Sequence, residues 1–210
     1  MKLFYSAGAC SLAPHILLNE LEIPYTAEAV NLRTKEYASG NDYTKVNPKG
    51  SVPAIQLDNG QVLTEVAVLM QYLADQKPEK NLIPKAGTFE RYRALEWMNY
   101  VATEMHKGFS PLWAADRIFP DSKETADHFR KTSTEALKKK FSYLNSHFEK
   151  NNFLMGANFS AMDAYLFTCV NWAHFLKMDL ADYPALVGFM NRVGERPSTM
   201  KAMKAEGLVR

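Results

Sequence analysis

Cys10 is the residue whose neighbours most favour chemistry. A short apolar run, Leu3 to Tyr5, leads into a small-residue turn, and Cys10 falls where a helix begins. Pro14 sits in that helix's first turn, where its missing N–H costs little. A thiol there feels unpaired backbone N–H groups and the positive end of the helix dipole, which favours its thiolate. The motif Cys10-Ser11-Leu12-Ala13 holds one thiol rather than two, which argues for sulfur chemistry without an internal disulfide. A small residue in a tight turn accounts for the same pattern.

Further groups join it. Pro53 interrupts an otherwise good strand, where a missing N–H is tolerated mainly at an edge or bend. The order strand, turn, cysteine, helix is similar to the opening of a thioredoxin-like domain. In that fold a cis proline starts the strand facing the thiol and leaves the backbone of the preceding residue, here Val52, free to pair with an extended peptide. Glu65 opens another helix, with Thr64 as the expected N-cap and Val66, Leu69, Met70 and Leu73 on one face. Its carboxylate either complements the helix dipole or holds a ligand ammonium while nearby N–H groups take a carboxylate. The second arrangement fits the α-ammonium and α-carboxylate of an amino acid.

Between Ala94 and Trp113, an apolar stripe of Ala94, Trp97, Val101 and Met105 opposes a polar face of Asn99, Thr103, His106 and Ser110. That face carries hydrogen-bonding groups rather than the Lys and Glu of ordinary exposed surface, so it suits the lining of a cleft. By itself His106 reads as a surface histidine. Ser160 and Asp163 form a capping-box pattern before an apolar helix, a structural device. His15, His128, His147 and His174 have no metal-ligand spacing, and there is no phosphate loop or dinucleotide glycine pattern.

The elements that must position these groups fall into two halves. Over the first ~75 residues strand-like and helix-like patterns alternate: a strand at Leu3–Tyr5, a helix at Ser11–Leu21 with Leu12, Ile16, Leu17 and Leu21 on an amphipathic face, a strand in TAEAVNL, and SVPAIQL returning through Asn59-Gly60 to Val62-Leu63. Periodicity lapses over QKPEKNLIPKAG, and beyond it the pattern is helical near 88–115, 123–148, 160–176 and 184–195, with a short helix after Pro197. The expected division is a domain at 1–77, a linker at 78–87 and an all-helical domain at 88–210. The fold class is α/β plus all-α.

At 210 residues the chain is long enough for such cores. A formal net charge of +2 implies neither nucleic acid nor an anionic membrane as partner. Lys138-Lys139-Lys140 reads as a solvated helix face. The most apolar stretch, AYLFTCVNWAHFL, is too short to span a bilayer, and the turn after Tyr5 argues against a secretory leader. Two cysteines make no disulfide framework, which fits a reducing cytoplasm, and Cys169 reads as inert core.

With Cys10, Asn47-Pro48-Lys49-Gly50, Val52-Pro53, Thr64-Glu65, the Asn99–His106 face and Ser160-x-x-Asp163 in order, the chain resembles a cytosolic glutathione S-transferase. It most resembles the bacterial beta class, whose members pair a cysteine near residue ten with a histidine in the helical domain. The resemblance runs down to the terminal AEGL, and NPKGSVPA, QYLAD, HKGFSPL and DAYLF are specific in combination. It implies a thioredoxin-like first domain, a helical-bundle second domain and a homodimer that binds extended glutathione as co-substrate.

By similarity Cys10 and His106 are catalytic, and Lys35 reaches the glycyl carboxylate. Val52 pairs with the cysteinyl unit, and Glu65 and the Val66 N–H hold the γ-glutamyl end. Asn99, Thr103, Glu104, Met105 and His106 complete the site, partly across the dimer interface. Many relatives carry a small or hydroxyl residue where this chain has Val66, so only a backbone N–H is offered there. Tyr5 and Ser11 resemble catalytic residues of other classes and rank below Cys10. Phe109, Ser110 and Trp113 are candidates for an apolar electrophile site, and Pro53, Ser160 and Asp163 are structural.

The leading expectation is transfer of the glutathione thiolate to apolar electrophiles, a detoxifying reaction. A thiol with a pKa of about 8.5 is only a few per cent ionised near pH 7. Lowering it by two units takes roughly 2.7 kcal/mol. A helix N-terminus and one charge-assisted hydrogen bond supply that much, so no metal is required. The alternatives are thiol–disulfide exchange through a Cys10–glutathione mixed disulfide and a non-catalytic ligand-binding protein of the same fold.

Overall fold

The structure, a computed structural model, describes residues 1–38 and 40–209. Strand β1 (Lys2–Tyr5) runs into helix α1 (Leu12–Glu20), which crosses over to β2 (Thr26–Asn31), parallel to β1 with Leu3 opposite Ala27. Two short strands follow, β3 (Glu36–Tyr37) and β4 (Asn41–Asp42), then β5 (Ala54–Gln56) and β6 (Val62–Thr64). β5 lies antiparallel to β1, with Ile55 opposite Leu3, and the sheet order is β4-β3-β2-β1-β5-β6. The β5–β6 hairpin turns at Asn59-Gly60, where Gly60 takes φ +84 and so needs no Cβ.

Helix α2 (Val66–Asp75) packs beside α1, and the expected face of Val66, Leu69, Met70 and Leu73 is buried. α1 departs from the amphipathic expectation. All seven residues Leu12–Leu18 are buried, His15 included, because α1 is packed against α2 and two helices of the second half. A helix hydrophobic nearly all round is a core helix.

The helical half begins with α3 (Phe89–Tyr100), continues through a π-helical turn at Val101–His106 and ends as α4 (Lys107–Ile118). Then come α5 (Lys123–Phe148), α6 (Ala161–Phe175), α7 (Pro184–Gly194) and α8 (Pro197–Ala205). Ala94, Val101 and Met105 are buried as expected, but Met98 takes the core position assigned to Trp97. Trp97 is half-buried and packs edge-on to His147 at 4.8 Å.

α6 is the central helix, buried from Ala161 to Val170, and it meets α1, α2 and α3. The capping box at its start is present. Fully buried Asp163 accepts from the Ser160 N–H (2.8 Å), the Ser160 hydroxyl and the Leu154 N–H (2.8 Å). Cys169 lies in the core at 0% exposure, as expected.

Candidate functional site

The loop before Cys10 is fastened from several sides. Gly8 takes φ +71, its N–H donates to the Glu206 carboxylate (2.9 Å), and its carbonyl accepts from the Trp172 indole N–H (2.8 Å). Glu206 also bonds buried His15 at 2.8 Å, so the end of the chain holds both the loop and α1. Ser11 is fully buried, and its hydroxyl accepts from the Ser6 N–H and donates to the Ser6 carbonyl. That bonding makes Ser11 a loop clamp.

Cys10 sits just before the Ser11 N-cap, partly exposed, and its Sγ donates to the Val52 carbonyl at 3.2 Å. The expected thiolate is not what this geometry favours. Loss of water around the sulfur pushes the thiol up to about 12, against the pull of the Cys10 and Ser11 N–H groups and of Lys107. Desolvation of the anion outweighs the helix N-terminus here.

Val52-Pro53 is a cis peptide, and β5 starts at the next residue. Thr64 is the last residue of β6, so the N-cap of α2 is Glu65 rather than Thr64. Glu65 has φ +71 and ψ 119, a backbone region that costs a non-glycine residue about 1–3 kcal/mol. Its side chain makes no capping bond. The carboxylate pairs with the Lys49 ammonium, which also donates to the Thr64 hydroxyl at 2.7 Å. Glu65 thus stands at the start of α2 without a capping hydrogen bond, its carboxylate paired with an ammonium.

The π-helical turn supplies the opposite wall. Such turns recur at functional sites because they shift side chains out of the α-helical phase. Thr103, His106 and Lys107 face Cys10, Val52, Glu65 and Val66 across a cleft of about 390 Å³, with Tyr165 of α6 at its edge. His106 is not a plain surface residue. Its Nδ1 lies 2.7 Å from the Tyr165 hydroxyl, and burial, helped by Lys107 and opposed by Glu65, lowers its pKa to about 4. The imidazole is neutral at pH 7.

A second cavity of about 530 Å³ shares Cys10 and His106 with the first. Ser110 and Trp113 line it, together with Leu32, Trp172, Phe175 and Leu208. Phe109 does not, since it is fully buried behind Trp113, with ring centroids 6.0 Å apart.

Other expected site residues lie elsewhere. The Met105 side chain is fully buried in the core. Glu104 turns toward α5, where Lys140 binds its carboxylate (2.9 Å) and its carbonyl (2.8 Å). Lys140 thus leaves the solvated run to which the sequence assigned it. Asn99 is exposed and lines neither cavity. Lys35 donates to the Gly50 carbonyl at 2.8 Å, beside the cleft rather than in it.

Sequence reasoning passed over Lys49, Lys107, Tyr165 and Trp172 as site residues. Lys49 stands inside the Asn47–Gly50 turn motif and Lys107 directly follows His106. Tyr165 and Trp172 sit in an apolar helix whose pattern gives no sign of which ring edges reach a cleft.

Two family models match the chain: "Glutathione S-transferase, N-terminal domain" over residues 7–76 and "Glutathione S-transferase, C-terminal domain" over residues 100–197. The chain is 43% identical over 208 residues to glutathione S-transferase GstA of Escherichia coli O157:H7, covering 99% of this chain and 100% of that protein. It superposes on the beta-class glutathione S-transferase of Sphingomonas chungbukensis with a TM-score of 0.91, 40% identity and full coverage of both chains. A sphingomonad glutathione S-transferase complexed with glutathione gives a TM-score of 0.90 at 37% identity, again over the whole of both chains.

Proposed function

The chain belongs to the glutathione S-transferase family and is a glutathione transferase; we propose that it joins the thiolate of reduced glutathione to apolar electrophiles. The observation that carries this reading is the wall common to the two cavities, formed by Cys10 and His106. A sulfur held there meets peptide-binding groups on one side and the aromatic surface of Trp113, Trp172 and Phe175 on the other.

Glu65 takes the γ-glutamyl ammonium, for which Lys49 must give way, and the Val66 N–H at the start of α2 takes the neighbouring carboxylate. Val66 adds no hydroxyl donor to that bond. Val52 pairs through its backbone with the cysteinyl unit, and Lys35 swings from Gly50 to the glycyl carboxylate. The sulfur is then stabilised as an anion by the Lys107 charge, the imidazole of His106 and the Cys10 thiol, which turns its S–H away from the Val52 carbonyl. Thr103 borders the peptide from the helical side.

Asn99, outside its own cleft, serves the partner's site in a homodimer. Phe89 and Tyr92, 67% and 63% exposed at the start of α3, offer that homodimer an apolar contact.

The test pairs a conjugation assay, using glutathione and an aryl halide, with a disulfide-reduction assay. Conjugation that survives Cys10→Ala supports the reading. Disulfide reduction without conjugation would assign the cleft to mixed-disulfide chemistry. Binding without turnover would leave a ligand carrier.

A further inference from the structure

The Tyr165 hydroxyl has His106 Nδ1 as its hydrogen-bond partner, at 2.7 Å, and the ring that carries it is 2% exposed. α6 is rigidly placed by the Asp163 capping box two residues earlier, so this hydroxyl is fixed from below. Trp172, two turns on, packs edge-on against the same imidazole at 5.0 Å, and Tyr165 meets it at 5.9 Å with planes at 88°. The imidazole is therefore held by one hydrogen bond and two aromatic contacts, all from a single helix.

We propose that Tyr165 is a positioning residue that donates its O–H to Nδ1 and thereby fixes His106 as the Nε2–H tautomer. This rests on the reading of the cleft as a glutathione site, with the sulfur beside His106. A neutral imidazole carries one ring proton, and an Nδ1 that accepts a bond leaves it on Nε2. His106 is then a hydrogen-bond donor to a sulfur anion and cannot take the thiol proton, which leaves to solvent. The opposite polarity, Nδ1–H to the tyrosine oxygen, would leave the O–H proton with no protein acceptor among the described residues.

Tyr165 stays protonated, since burial raises its hydroxyl far above the ordinary range. The other titratable groups facing His106 are Glu65 at the start of α2, Lys107 on α4 and Cys10 before α1.

The account is tested on the full-length protein by ring ¹⁵N NMR of His106 and by a mutant cycle. The spectrum should give a protonated Nε2 and a bare Nδ1. A proton on Nδ1 would overturn the proposal without any mutation. Tyr165→Phe keeps the buried ring and should lower kcat roughly three- to tenfold with the glutathione KM unchanged. It should also mix the two tautomers in the spectrum. In a His106→Ala background the same substitution should cause no further loss of kcat. An equal loss in both backgrounds would mean that the hydroxyl acts elsewhere. Full activity of His106→Ala, alongside a fixed tautomer in the wild type, would contradict the role of His106 at the sulfur rather than the Tyr165 bond.

Discussion

The Cys10 thiol and the Val52 carbonyl satisfy one another across 3.2 Å, joining the start of α1 to the residue before β5. Cys10 is thus a hydrogen-bonded thiol at neutral pH, its ionisation pushed up to about 12 by the loss of surrounding water. Its alkylation by iodoacetamide should be slow at pH 7 and rise about tenfold per pH unit through pH 9, tracking the thiolate fraction. Cys169, buried at 0% exposure, should label more slowly still. Mass spectrometry of the two peptides measures both rates. A Cys10 rate already at its plateau by pH 7 would mean a preformed thiolate.

Lys49 and Glu65 form an exposed pair, and such pairs contribute about 0–1 kcal/mol. Displacement of Lys49 by a ligand ammonium therefore costs little. Lys49→Met should lower the glutathione KM by at most about fivefold, whereas Glu65→Gln should raise it. A raised KM in Lys49→Met would make Lys49 a ligand contact in its own right.

Much of this architecture is legible in the sequence where local chemistry dictates local structure. Asn59-Gly60 turns the hairpin, Ser160 and Asp163 cap α6, and Pro53 stands at the head of β5. The errors arise where distant elements decide. Cys10 sits at a helix start as its neighbours suggest, but packing around it, invisible locally, reverses the effect on its thiol. The π-helical turn interrupts a regular periodicity over Val101–His106, and beyond it Phe109 falls in the core. Gly8, Trp172 and Glu206 meet across more than 160 residues, which no spacing rule anticipates.

Asp163 links the fold to pH. Burial raises its carboxyl from 3.8 to about 6, although three donors favour the anion. A carboxyl whose folded pKa is raised binds its proton more tightly in the native state. Its contribution is therefore present below pH 3.8 and declines as pH rises to about 6. Chemical denaturation of the wild type across this range should reveal that slope, and Asp163→Asn should remove it. Asp163→Ala leaves two buried N–H groups without their acceptor and should cost at least about 2 kcal/mol. The glutathione KM of the folded protein should not change. A changed KM at unchanged stability would instead place Asp163 in the site.

Assembly can be read by sedimentation. The proposed homodimer should persist at micromolar concentration, and Phe89→Ser with Tyr92→Ser should shift it toward monomer. Retention of the dimer in that double variant would move the interface away from the start of α3.

The central claim is that the wall shared by the two cavities holds glutathione sulfur as an anion. The most direct measurement is the ultraviolet thiolate absorbance of protein-bound glutathione as a function of pH. Cys10, held near 12, stays silent through the neutral range. The predicted result is a bound-glutathione pKa about two units below that of the free tripeptide, with the shift reduced in His106→Ala. Tight binding with an unshifted thiol pKa would contradict the account.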